Sequence, residues 1–395
     1  MKKASLLIFA AALCFCACNP KEQPYDYQDK DITGVTVELS KYIDCQKIFL
    51  LNEGQMGANN ASLDVLRVKD KQYITGIWKK MNPGEGPGLG DVANDIGIKN
   101  NEVWIVVNNS GYVEIISALD ETHIASVNIP TPRCIAFDDD YAYVTSYSGS
   151  FIEYDSNYAI VNSKNSKGHV YRIDLKTHKL VGSPVEVGYQ PEGLAVYDGK
   201  LYVANSGGLA SQLPPNYAYD NKVSVIDTKT FTLERNIEVA INLDRVYYNG
   251  KDAIYVTSMG NFYDVHSGLY VIVNNRVNKV DAHISKSFMN DDGTLFAIGT
   301  ESELDYTAKH QYTLSSYRIE DDETNKVLPT YYNIEIDATT PYAIAIIDNY
   351  LMVADAGDYF NPGSLSLYEN IDLTLTRKKL WTVTTGVCPG HFAIW

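Results

Sequence analysis

Short apolar runs, each broken by Asp, Asn, Gly or Pro, recur from about residue 48 to the C-terminus. The clearest unit opens at Gln190-Pro191-Glu192-Gly193-Leu194-Ala195-Val196 and turns at Asp198-Gly199. It continues through Leu201-Tyr202-Val203-Ala204-Asn205, a long variable loop, Val223-Ser224-Val225-Ile226-Asp227, and Thr232–Val239. Runs this short, alternating or briefly apolar and bounded by turn residues, predict strands rather than helices. We label the four strands of a unit a to d. No segment carries a sustained apolar stripe at helical spacing.

The same order returns through the chain. Strands a and b are predicted at Asn94–Ile98 and Val103–Val106, Pro132–Phe137 and Tyr141–Val144, Asp244–Tyr247 and Ala253–Val256, Lys286–Met289 and Leu295–Ala297, and Pro341–Ala345 and Leu351–Ala354. A repeat of about 50 residues is the period of a propeller blade. The ends complete the count. The chain stops after one further strand a, Cys388–Trp395, and opens on a strand b at Ile48–Asn52, followed by Ser62–Val68 and Tyr73–Trp78. Pairing the first strand with the last leaves no open edge at the junction. The expectation is an all-β, seven-bladed β-propeller over residues 41–395, closed by its N- and C-terminal strands.

The first forty residues follow another pattern. Lys2 and Lys3 precede the apolar run Leu6–Leu13, too short to span a bilayer but suited to a signal-peptide core. Phe15-Cys16-Ala17-Cys18 then resembles a bacterial lipobox. This predicts a signal peptide over 1–17, lipidation at Cys18 and a Pro-containing polar tether over 18–40, so that the membrane is met through the anchor alone. Cys45, Cys134 and Cys388 remain for the folded part. Three cysteines make no disulfide framework, and buried thiols are expected.

Following the chain through a blade puts the b–c and d–a loops on one face and the a–b and c–d loops on the other. The b–c loops are long, including 52–61, 146–168, 205–221, 258–268, 300–313 and 355–363. Long loops on one rim of a rigid scaffold are where binding groups gather. They carry Tyr147, Tyr154, Tyr217, Tyr219, Phe262, Tyr263, Tyr306, Tyr359 and Phe360, with Asn52, Asn60, Asn109 and Asn205. Tyr and Asn supply contact area and paired donors and acceptors with few rotors to freeze. Arg133, Glu192, Arg245 and His391 each begin a strand a near the central mouth, and Asn94, which opens another unit, is a further binding candidate. The four at the mouth are read either as a polar ring facing a ligand or as salt bridges tethering loops.

Charge and motifs narrow the chemistry. The chain has 33 Lys and Arg against 49 Asp and Glu, a net charge of −16 that loss of Lys2 and Lys3 makes more negative. That disfavours nucleic acid, which needs clustered basic residues. The seven histidines form no His-Glu-x-x-His, and no Gly-x-Ser-x-Gly elbow occurs. Gly84-Glu85-Gly86-Pro87-Gly88 lacks the Lys of a phosphate cradle. The expectation is therefore a binding protein, with no catalytic residue, metal or cofactor assigned; a lactonase-like hydrolase is a weaker alternative.

The phrases Leu51-Asn52-Glu53-Gly54, Gly90-Asp91-Val92-Ala93-Asn94-Asp95, Pro132-Arg133, Gln190-Pro191-Glu192-Gly193 and Val225-Ile226-Asp227 resemble the YncE-like propeller lipoproteins of Bacteroidota. The resemblance covers nearly the whole chain after the leader. It implies an outer-membrane, cell-surface lipoprotein. The BtuG type within that group captures cobalamin (vitamin B12) and hands it to a TonB-dependent transporter. By that resemblance a corrinoid is the expected ligand and such a transporter the expected partner; a protein- or glycan-binding propeller of another uptake complex is the alternative.

Overall fold

The structure is a computed structural model. It describes residues 34–395 except 40–42, 156–158, 214–215, 306–308, 322–325, 333–335, 349 and 370–377. The leader, Cys18, Tyr306 and most of the expected tether lie outside the described residues.

The expected strand grammar forms seven blades around one axis. The first blade comprises Ala93–Lys99, Glu102–Val107, Tyr112–Ser117 and His123–Asn128, hydrogen-bonded in that order. The third, fourth, fifth and sixth blades begin at Pro191–Tyr197, Leu243–Tyr248, Lys286–Met289 and Pro341–Ile347, each an antiparallel four-strand meander. In the second, Pro132–Phe137, Tyr141–Ser146 and Lys167–Asp174 are followed by a split outer strand, Lys179–Leu180 and Val185–Tyr189, both paired with Lys167–Asp174. Gly182 at φ 75° lies at the break, and Pro184 follows it with no donor for a ladder.

The seventh blade joins the ends. Pro389–Ile394 pairs with Lys47–Asn52, with Ile48 opposite Ile394 and Leu51 opposite His391. Ser62–Arg67 and Gln72–Ile74 follow. Two features depart from expectation. The run read as a strand over Tyr73–Trp78 stops at Ile74, and a short helix, Ile77–Met81, begins after Gly76 at φ 61°. The Asp64 carboxylate explains the turn, accepting the Gly76 amide and the Tyr73 hydroxyl at 2.8 Å each. Second, Val35–Thr36, expected in the tether, pairs with Gln72–Ile74 as a fifth strand, and Val37 and Leu39 are buried. Apolar residues at alternate positions there have a sheet face to cover.

Successive blades bury their strands face to face. Trp104, Val106 and Ile115 of the first blade meet Ile135, Val144 and Ile173 of the second; Tyr202 and Val225 of the third meet Val246 and Val256 of the fourth. Strands buried on both faces explain why the b strands read as continuous apolar runs. At the axis the a strands crowd. A Cβ added to Gly193 would lie 2.7 Å from the Asp244 carbonyl oxygen, so this central position requires glycine. Cys45, Cys134 and Cys388 are free thiols, Cys134 and Cys388 buried. Burial, with Asp348 and Asp44 nearby, pushes the Cys45 thiol up to about 12.

Candidate functional site

The a strands enter from the long-loop face, so the first residues of each strand line a central cavity of about 430 Å³. Asn94, Arg133, Glu192, Arg245 and His391 all reach it, as the repeat register predicts. The same register brings residues that the sequence reading did not single out: Glu53, Asp95, Asp244, Lys286 and Tyr342. Aligning the units one residue further would have exposed Asp95, Lys286 and Tyr342 beside Asn94, Ser285 and Pro341. Glu53 carries no such signal, because it follows a strand b and reaches the axis only through ring closure.

The central polar residues line the cavity and also bind one another. Arg133 clamps Glu192 with Nε 3.0 Å from Oε2 and Nη2 3.2 Å from Oε1, and donates to Asn94 Oδ1 at 2.8 Å. A forked guanidinium–carboxylate pair fixes direction as well as charge. The Tyr147 hydroxyl donates to Glu192, and its ring carries the Arg133 guanidinium 4.8 Å from the centroid. Tyr147 is therefore cavity wall, buried by its own contacts. Across the axis, Arg245 lies 3.3 Å from Asp95 and 3.0 Å from His391 Nδ1. His391 Nε2 meets Glu53 Oε1 at 3.0 Å, and the Tyr342 hydroxyl donates to Glu53 Oε2 at 2.7 Å.

These partners set the proton affinities. Burial pushes the Glu53 carboxyl up, but the hydrogen bond and charge of His391, with Tyr342 and Lys286, outweigh it and hold the group below the usual range. Burial and the neighbouring carboxylates drive the Tyr147 and Tyr342 phenols well up, keeping them donors. Lys286 differs. Burial lowers its ammonium pKa despite the charges of Asp244 and Glu53. Its Nζ lies 4.4 Å over the Tyr342 ring and makes no hydrogen bond to the described residues. The Tyr342 π face holds this nitrogen at the cavity, with its donors open among the described residues.

A second recess of about 180 Å³ adjoins the first and shares Met259, Phe262, Lys286 and Tyr342 with it. Its rim holds two similar aromatic pairs. Phe262 and Tyr359 both line it and both sit in the left-handed region, at φ 62° and 67°. Their successors, Tyr263 and Phe360, stand 79% and 70% exposed. Bulky residues rarely adopt positive φ.

The other expected loop contacts are spent within the chain. Asn52 is fully buried, its amide donating to Ser62 Oγ at 3.1 Å; Asn205, also fully buried, donates to Lys222 O and Ser224 Oγ at 2.8 and 3.0 Å. Each closes the end of a strand b against strand c, which is why an amide recurs there. Asn60 Oδ1 caps the Gln55 amide at 2.7 Å, and Asn109 donates to Asp91 at 2.5 Å. An unexpected hairpin, Phe151–Tyr154 with Ile160–Lys164, rises from the loop of the second blade. Tyr154 donates to Gln212 Oε1 at 2.6 Å and Tyr217 meets Ser163 Oγ at 3.2 Å, fastening the hairpin to the next blade's loop. Tyr219 is half-buried and does not line the cavity.

No family model and no curated protein sequence matches the chain. Solved structures do. A quinonprotein alcohol dehydrogenase-like protein from Bacteroides thetaiotaomicron superposes with a TM-score of 0.56 at 13% identity, covering 90% of this chain and 79% of that one. The periplasmic gluconolactonase of Pseudomonas aeruginosa gives 0.55 at 11% identity, covering 88% and 98%. Hydrazine synthase of Kuenenia stuttgartiensis gives 0.55 at 16% identity, covering 76% and 88%. At these identities the likeness is one of fold, the β-propeller.

Proposed function

We propose that this protein is a binding propeller of the cell surface that captures a broad small molecule on its long-loop face, a corrinoid being the ligand that fits best. The observation that carries the reading is the doubled aromatic rim: Phe262 and Tyr359 line the recess while Tyr263 and Phe360 project into solvent beside it. Exposed rings on self-braced loops offer flat area that a ligand can cover without much loss of side-chain freedom. Beneath them lie a deep polar cavity and one open ammonium, Lys286. A corrinoid presents complementary chemistry: a wide disc, amide arms for the polar wall and a phosphodiester for the lysine.

The interlocked polar groups at the axis suit the wall of a binding cavity. Glu53, Asp95 and Glu192 are each held by cationic or hydrogen-bonding partners, and Glu53 is kept a weak base. The family resemblance and the lipobox-like Phe15–Cys18 support export, anchoring at Cys18 and delivery to a TonB-dependent transporter.

Isothermal titration of the purified protein with cyanocobalamin tests the ligand. Saturable heat at micromolar concentration or below is expected; its absence there removes the corrinoid. Palmitate labelling tests the anchor separately, with incorporation expected in the native chain and lost in Cys18→Ser.

A further inference from the structure

Apart from the central cavity, a group of His and carboxylate side chains with metal-ligand spacing converges among the described residues. His266 lies in the b–c loop of the fourth blade, His283 in the connection to the fifth, and Glu303 in the fifth blade's b–c loop. One ligand atom from each lies within 4.8 Å of the others. His266 Nδ1 is 2.7 Å and His283 Nδ1 3.4 Å from the same oxygen, Glu303 Oε1. The two imidazoles meet edge to face, with centroids 4.7 Å apart and planes at 68°, so both turn a nitrogen toward the carboxylate.

From this geometry we infer a binding site for a divalent transition ion, zinc above all, formed by His266, His283 and Glu303. Donors about 2.0–2.2 Å from a tetrahedral zinc stand about 3.3–3.6 Å from one another. The Glu303–His283 spacing already meets this, and the Glu303–His266 contact must open by about 0.6–0.9 Å. Two imidazoles and a carboxylate suit zinc and its neighbours rather than calcium or magnesium, which prefer oxygen throughout.

The supporting groups are ordered for the same task. Glu303 is fixed by the Ser267 amide at 2.8 Å and the Ser267 hydroxyl at 2.6 Å, and that hydroxyl accepts the Ile284 amide at 2.8 Å. One serine thus ties together the segments carrying all three ligands. The Nε2 of His283 lies 3.5 Å from the carboxylate of Glu301, whose side chain is exposed. Asn261 Oδ1 accepts the amides of Tyr263, Asp264 and Val265 at 2.9–3.0 Å, holding the loop before His266. His266 is 44% exposed and Glu303 13%, so the site opens to solvent on one side. A fourth donor can come from water or from a bound molecule. The site shares Glu303 with the second recess, and an ion there would clamp two loops of the ligand-facing rim.

The test is titration of the metal-freed protein with Zn²⁺ against a chromophoric chelator. One equivalent should bind at about 1 μM or tighter, and His266→Ala/His283→Ala should weaken binding by at least ~100-fold. His178→Gln, on the opposite face, should leave it unchanged. Failure to take up zinc at about 100 μM, or uptake indifferent to the double substitution, overturns the site. Copper(II) bound to the unaltered protein gives a check that needs no variant: its paramagnetic resonance spectrum should show coupling to imidazole nitrogen, and a spectrum without it also overturns the site.

Discussion

His391 Nε2 lies 3.0 Å from Glu53 Oε1 although 338 residues separate them. The contact forms only because the last strand a and the first strand b share a blade. It couples ring closure to the cavity wall, since His391 also meets Arg245 and Glu53 also accepts from Tyr342. The side chains of His391 and Glu53 are only 12% and 10% exposed.

Glu53→Ala is therefore expected to destabilise the fold by about 3–5 kcal/mol, because it leaves His391 Nε2 and the Tyr342 hydroxyl without their buried carboxylate partner. Urea unfolding monitored by tryptophan fluorescence reads this directly. A change below about 1 kcal/mol would mean that water reaches the site freely.

The same carboxyl gives a pH dependence with a defined sign. Its folded pKa is lowered from an ordinary value of 4.5. The stability it contributes is full above that value and is lost as pH falls through the lower, folded one. Melting temperatures of the native protein should drop across that acid window. Glu53→Gln should flatten the part of the slope due to this group.

Removing Pro389–Trp395 opens the ring, exposing the Lys47–Asn52 edge and the apolar surface around Phe49 and Leu51. Loss of cooperative unfolding and a tendency to aggregate are the expected outcome, seen by calorimetry and light scattering.

Tyr263→Ala and Phe360→Ala should separate binding from folding. Both side chains are exposed, so each substitution should change stability by no more than about 0.5 kcal/mol. Together they should weaken cyanocobalamin binding by about tenfold or more, measured by titration calorimetry.

Asn205→Ala should behave in the opposite way. Its amide joins Lys222 and Ser224 while its carbonyl oxygen accepts the Gly188 amide at 2.9 Å. Leaving those groups unpaired in the interior should cost about 1–3 kcal/mol, with ligand affinity unchanged. Chemical denaturation beside calorimetric titration distinguishes the two effects.

Local pattern was enough for the architecture. Period-two runs, turn residues and matched chain ends are written in neighbouring residues, so the blades, the closure between Ile48 and Ile394 and the axial places of Arg133, Glu192, Arg245 and His391 could all be read from the sequence. The same residues at Gly76 and Val35 misled that reading, because a buried Asp64 and a vacant sheet edge decided their conformation. What each loop side chain touches was beyond it. Asn52 and Asn205 turned inward to satisfy strand ends, Tyr154 and Tyr217 were taken up by a hairpin, and His266, His283 and Glu303 met across two blades. Strand periodicity acts over two residues and leaves its mark in the chain. Convergence of side chains depends on loop paths and the packing between blades, so it exists only once the ring has closed.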